Sequence, residues 1–356
     1  MTPMRIAIAA DPYIPVPPRL YGGIERIVDL IVRGMVARGH HVTLIAHPDS
    51  TSPAVSLRPY GVPPHMTPPA RIRELWQMGS ALVGLSGSVD IVHSFGRLAS
   101  LLPILPLRRL PKVQSYQRMI VAWGGVRRAA RIGGRSIAFT ACSTSVYGPA
   151  RDAGLAGGDW HTIFNAVNTA RFTPQYAVPA DAPVMFLGRV ERQKGPHHAI
   201  AIARAAGRRL VIAGNVEPSD EAFFHAEVRP AIDGDRVTYL GPIDDVRKNE
   251  LLGRAAALLM PIECQEAFGI VMAEAMACGT PVIGFPEGSV PEVIHDGVTG
   301  FVARGIEAAS AAVQRLPCLD RAAVRRECEE RFEETSIVSQ YEDLYRVMID
   351  RVRQAA

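Results

Sequence analysis

Lysine is nearly missing from this chain of 356 residues: Lys112, Lys194 and Lys248 are the three that stand among 39 lysines and arginines. Against that arginine bias, the lysine at 194 suggests a place where a compact ammonium suits better than a planar guanidinium. Cysteine is sparse too. The five (Cys142, Cys264, Cys278, Cys318 and Cys328) are odd in number and form no C-x-x-C. That suggests neither a disulfide framework nor a zinc ribbon, and it fits a reducing cytoplasm. No apolar run is long enough for a bilayer; the longest, Leu98 to Leu107, is broken by Ser100 and two prolines. The N-terminus offers one arginine, Arg5, and a short apolar run that meets Asp11, too little for the core of a signal peptide.

Acidic residues are absent from Ile91 to Arg151, a stretch that holds Arg97, Arg108, Arg109, Lys112, Arg118, Arg127, Arg128, Arg131, Arg135 and Arg151. Two readings stay open, an anionic partner or the solvated face of an arginine-rich protein. No helix-turn-helix, finger or aromatic–basic sheet is visible, so nucleic acid is not an expected partner.

What is present is globular: 48% hydrophobic, 21% charged and a formal charge of +4. The length calls for two domains. Arg5 to Ala10 reads as a buried strand, followed by a proline-rich loop, Asp11 to Leu20. Ile24, Ile27, Val28, Ile31 and Met35 then recur at helical spacing up to Gly39, and Val42 to Ala46 is a second strand. This is a βαβ unit, which binds ligands at the carboxyl ends of its strands; it carries no G-x-G-x-x-G. Further strands are expected at Val89–His93, Lys112–Tyr116 and Ser136–Ala141. Between the last two, Gln117 to Arg135 carries Met119, Ile120, Val121 and Trp123 ahead of an arginine cluster. Peripheral contact with an acidic membrane is one reading. Gly124-Gly125 interrupts the helical pattern and favours internal packing instead.

Prolines at 174, 179 and 183 mark a linker, after which the pattern restarts with Val184 to Gly188. Strands follow at Leu210–Ala213 and Arg236–Leu240. Asp233-Gly-Asp235 has the look of a metal-binding D-x-D, but it precedes its strand and reads as a turn; no other cluster has metal-ligand spacing. Ala303 to Arg331 reads as helices, and Thr335 to Arg353 has Ile337, Tyr341, Leu344, Tyr345 and Met348 at helical spacing.

The most informative stretch is Glu266-Ala-Phe-Gly-Ile-Val-Met-Ala-Glu274, followed by Met276 to Ile283. It reads as a loop ending in a carboxylate, a glycine, and a short helix with a second carboxylate. Gly279 stops the helix and Pro281 to Gly284 opens a strand. A continuous helix would set the carboxylates about 12 Å apart along the axis. The amides of Phe268, Gly269 and Ile270 would open the helix, where anions are favoured.

The string EAFGIVMAEAMACGTPVI resembles the E-x7-E segment of retaining GT-B glycosyltransferases of family 4, the glycosyl transferases group 1, which include sucrose synthases and bacterial mannosyl- and glucosyltransferases. Arg189 and Lys194 resemble that family's R-x4-K pair, and Gly22-Gly23 its glycine-rich first loop; alone, Gly-Gly before a helix is mostly just a turn. Two segments depart from the pattern. The family's H-x-H appears as His93 with Phe95 in the second place, so His93 either substitutes or is a satisfied strand-end histidine. His161 to Asn168 resembles the family's N-G-V-D with Ala and Asn in place of Gly and Asp. Glu287 to Glu292 and Asp296 to Phe301 match further segments.

The resemblance implies an α/β GT-B fold of two Rossmann-like domains facing across a cleft. The acceptor-side domain would span 1–168, with a last helix, 335–356, packing back onto it, and the nucleotide-sugar domain 169–334. Arg189 and Lys194 would neutralise the donor diphosphate, helped by Gly22, Gly23 and the amides of Phe268, Gly269 and Ile270. Gly214 would lie by the base, Glu274 on the ribose and Glu266 on the transferred sugar. The expected activity is retaining, metal-independent hexosyl transfer without a cofactor, from a UDP-sugar ahead of GDP-mannose. The acceptor is left open by the resemblance; the basic residues of the first domain point to one that is phosphorylated, carboxylated or lipid-linked. The rivals are a nucleotide-sugar epimerase of the same architecture and a non-catalytic nucleotide-sugar-binding protein.

Overall fold

A computed structural model describes residues 2–18, 22–54, 56–60 and 68–354. Arg19, Leu20 and Tyr21, which close the proline-rich loop and open the glycine turn, lie outside the described residues. The chain divides into two compact units, one running to Asn165 and resuming at Glu334, the other Ala166–Glu333.

In the first unit, strands β1 (Arg5–Ala9), β2 (His41–Ala46), β3 (Ser56–Pro59), β4 (Ile91–Ser94), β5 (Lys112–Tyr116), β6 (Ile137–Ala141) and β7 (Trp160–Thr162) form one parallel sheet. Its order is β3-β2-β1-β4-β5-β6-β7, with Ile6 opposite both Val42 and Ile91. β4 and β6 are buried along their whole length, as expected of parallel strands covered on both faces. Helices α1 (Gly23–Ala37), α2 (Pro68–Leu85) and α3 (Trp123–Gly133) belong to this unit. α3 corrects the sequence reading, because it runs through Gly124-Gly125. The two glycines sit in its first turn, and Val126, Ala129 and Gly133 then supply a buried stripe while Arg127, Arg128 and Arg131 stay exposed.

The second unit repeats the design. Strands β8 (Val184–Leu187), β9 (Leu210–Ala213), β10 (Val237–Tyr239), β11 (Ala257–Met260), β12 (Val282–Gly284) and β13 (Gly300–Val302) form a parallel sheet ordered β10-β9-β8-β11-β12-β13. Its main helices are α4 (Pro196–Ala205), α5 (Asp245–Arg254), α6 (Ile270–Ala277), α7 (Gly305–Arg315) and α8 (Arg321–Phe332). Asp233 is the turn former the sequence suggested: its Oδ1 accepts from the amides of Asp235, Arg236 and Val237 at 3.0, 2.8 and 3.0 Å. Val167 pairs with Glu333 and donates to the Phe332 carbonyl at 2.9 Å, closing the unit at its two ends.

The last helix, α9 (Glu334–Arg353), returns to the first unit. Ile337, Tyr341, Leu344, Tyr345 and Met348 are buried, the stripe read from the sequence. Val338 packs so closely on α1 that a Cβ at Gly34 would lie 2.5 Å from its methyl carbon. Beside this contact, buried Glu342 accepts from Arg38 at 2.7 Å and Arg346 at 2.6 Å, with His40 at 3.2 Å. Burial raises the carboxyl's pKa, but hydrogen bonds from Arg38, Arg346 and His40 win and bring it from 4.5 to about 2. A depressed carboxyl stabilises the fold fully above its unfolded value and loses that contribution as pH falls through the folded value. Glu342→Gln is therefore expected to lower Tm at neutral pH, with the gap to the native protein closing between about pH 4.5 and 2; thermal melts across that range measure it.

Candidate functional site

Strand order in the second sheet reverses between β8 and β11, so the chain leaves their carboxyl ends in opposite directions. Such a switch point opens a crevice where α/β sheets bind ligands. Two segments with the expected site residues emerge there, Gly188 to Gly195 after β8 and Pro261 to Gly269 after β11. They are pinned together. The Glu263 amide donates to the Gln193 carbonyl at 2.8 Å. Gly195 is left-handed (φ 74°), and a Cβ there would lie 2.0 Å from the Pro261 carbonyl oxygen, so only glycine lets the turn close on the loop.

The pinning brings Lys194 onto Glu266: the ammonium Nζ donates to Oε2. Glu266 is fixed from other sides as well, its Oε1 accepting the Ala267 amide at 3.1 Å and its carbonyl the Ser289 amide at 2.9 Å. Burial lowers the Lys194 pKa, but the Glu266 charge outweighs it and holds the ammonium above the ordinary lysine value. Arg189, on the same turn, is 37% exposed and bonded to Glu191 at 3.0 Å. Gly214 lies at the end of neighbouring β9. Its amide donates to the Gly241 carbonyl at 2.9 Å, and its carbonyl accepts from the Tyr239 hydroxyl at 2.9 Å.

Beyond Glu266, Gly269 is left-handed (φ 68°) and turns the chain into α6. The helix therefore begins at Ile270, and Glu266 stands on the loop before it, as the local reading had it. No side chain caps this N-terminus and no acid lies in its first turn. Such an end favours an anion. Phe268 is buried edge-on against Phe332, 5.5 Å between ring centroids, which anchors the segment. The other end of α6 is held by Arg325, whose guanidinium donates to the Ala277 carbonyl and, at 3.1 Å, to that of Thr169.

Glu274 projects from α6 into a separate pair. It is 6% exposed, and Lys248 on α5 donates to its Oε1 at 2.6 Å while lying 3.0 Å from Asp245. As at Lys194, burial lowers the Lys248 pKa and the glutamate more than offsets it. The sequence reading assigned Lys248 no role. Its signal was rarity: of the three lysines, two turn out to hold the two glutamates of the E-x7-E segment.

The remaining expected residues lie in the first unit. Gly22 is the N-cap of α1, its carbonyl accepting the Arg26 amide at 3.1 Å, and Gly23 is the first helical residue. His93 is corrected. Its ring is fully buried, with Nδ1 2.5 Å from the Tyr345 hydroxyl and Nε2 2.6 Å from Ser115 Oγ. Burial alone pushes its pKa down to about 3. Both nitrogens are engaged and the ring stays neutral, so His93 ties β4 to β5 and α9, the satisfied strand-end histidine of the two readings.

Two parallel, doubly wound sheets with a charged switch point in the second define the GT-B class, built of two Rossmann-like domains. Family models match both halves in succession: Glycosyltransferase Family 4 over residues 21–171 and Glycosyl transferases group 1 over 174–331. The chain belongs to this family. It is 29% identical to D-inositol 3-phosphate glycosyltransferase 1 of Catenulispora acidiphila over 299 residues, 71% of this chain and 69% of that one. Shorter matches at 40% and 36% identity span 30% and 28% of the length of other curated relatives. AviGT4, a glycosyltransferase involved in avilamycin A biosynthesis, is 25% identical with a TM-score of 0.69, covering 98% of both chains. Anabaena HepE, solved with UDP and glucose, shares the fold at 17% identity, with a TM-score of 0.73 over 96% of this chain and 99% of that one.

The buried Lys248–Glu274 pair sets its own test. Removing one partner of a buried ion pair strands the other charge and costs about 3–5 kcal/mol, whereas replacing both with apolar groups is often neutral. Lys248→Met should lower unfolding stability by that amount, and Lys248→Met with Glu274→Met should recover most of it, as read by urea unfolding.

Proposed function

We propose that this chain transfers a hexose from a nucleoside-diphosphate sugar, with retention of anomeric configuration and no metal in the chemistry. The observation that carries this reading is the meeting of Lys194 and Glu266 at the switch point of the second sheet, beside an uncapped helix start. Arg189 and Lys194 neutralise the diphosphate as charge grows on it, joined by the amides that open α6. Glu266 accepts from the hydroxyls of the transferred sugar and Glu274 from those of the ribose. Lys248 occupies one site on Glu274, and a carboxylate has several to offer. The acceptor hydroxyl attacks the anomeric carbon on the face the phosphate leaves, and the departing phosphate oxygen takes its proton. The base is uracil on this reading, in keeping with the UDP held by the HepE relative.

The acceptor is anionic. Arg127, Arg128 and Arg131 are exposed on α3, within a stretch free of acidic residues, and the Catenulispora relative is named for a phosphorylated inositol.

Glu274→Ala is expected to abolish binding of UDP-sugars in calorimetric titration, while native turnover persists in a chelator. NMR of the product should show the donor's own anomeric configuration; an inverted product would refute retention. Incubating donor alone separates an epimerase, which would yield an isomeric sugar nucleotide. Replacing Arg127, Arg128 and Arg131 together by glutamine should raise the acceptor KM several-fold and leave donor affinity unchanged; an unchanged KM would retire the anionic acceptor.

A further inference from the structure

We propose that His197, His198 and Glu263 bind a divalent transition-metal ion of the zinc class, outside the reaction chemistry. His197 and His198 are the second and third residues of α4, and Glu263 lies on the loop after β11. One ligand atom from each comes within 4.8 Å of the others, the sole such group among the described residues. The two imidazoles lie close together, 4.0 Å between centroids and tilted by 36°, and His198 Nε2 is 2.8 Å from Glu263 Oε1.

Three further features support a cation here. His197 Nδ1 is buried and has no hydrogen-bond partner, which leaves the ring incompletely satisfied among protein groups. The neighbouring cations are already matched: Arg192 donates to Glu227 and lies over the Phe223 ring at 4.8 Å, and Lys194 is held by Glu266. The donor set selects the metal, because two imidazoles and one carboxylate suit zinc, cobalt or nickel, whereas magnesium and calcium take oxygen cages. Three protein ligands leave a position for water.

The ion would join the two segments already pinned by the Glu263–Gln193 backbone bond, one leading from Lys194 and the other to Glu266. It thus acts as a staple behind the charged pair. The inference rests on the cluster itself and holds whatever the donor proves to be.

The test uses tag-free, full-length protein stripped with chelator and titrated with zinc chloride in a calorimeter. Saturable binding of one ion per chain and a rise in Tm with zinc are expected, and cobalt should give visible d–d absorption on binding. His198→Ala and Glu263→Gln should each weaken zinc binding by about 10-fold or more, the scale at which even supporting residues around a metal act. His295→Ala, a change at a histidine outside the cluster, should leave it unchanged. Glu263 is 45% exposed, so its glutamine variant should fold, and metal-free melting curves verify this. Absence of one-to-one binding, or equal affinity in native, His198→Ala and folded Glu263→Gln proteins, would overturn the proposal.

Discussion

An ammonium held away from water is stabilised by a carboxylate beside it, and the second unit uses that pairing twice. Lys194 lies against Glu266, and Lys248 against Glu274. Each pair joins elements distant in sequence: a turn after β8 to the loop after β11, and α5 to α6. The pairs therefore do more than neutralise charge. They fix where the E-x7-E segment sits relative to the strand ends, since a displaced glutamate would leave an unmatched cation in a poorly solvated place.

The rest of the unit keeps this segment from shifting. Arg321 and Arg325 on α8 turn inward rather than into solvent. Arg321 donates to the carbonyls of Gly253 and Ala255 at 3.0 and 2.9 Å, and burial lowers its pKa to about 10. Arg325 closes the end of α6. These guanidinium groups satisfy carbonyls that helix ends and strand entries leave open, which would otherwise be buried without partners. The helix bearing Glu274 is thus uncapped by any side chain at its start, where an anion is favoured, and fastened by Arg325 at its finish.

Much of this was legible in the residues and some was not, for a consistent reason. Strand runs such as Arg5 to Ala10 and Val184 to Gly188, the α9 stripe and the helix start at Gly269 are written in local pattern, which a reader can follow along the chain. Pairings are not. Nothing near His93 says that its partner is Tyr345, 252 residues away. Lys248 and Glu274 are 26 apart, and only the scarcity of lysine hinted that either cation was special. At Gly124-Gly125 the local signal misled, because glycine weakens a helix by a modest amount that the buried stripe of Val126 and Ala129 outweighs.

The return of α9 to the first unit bears on how the molecule is made. Ribosomes deliver residues 166–333 before this helix, so the second unit has its whole sequence in hand while the first still lacks the tyrosines that cover His93. The half that begins synthesis is consequently the last to mature. A released chain ending short of Tyr345 would hold the whole sequence of the second unit but an open N-terminal core, exposing apolar α1 surface to chaperones.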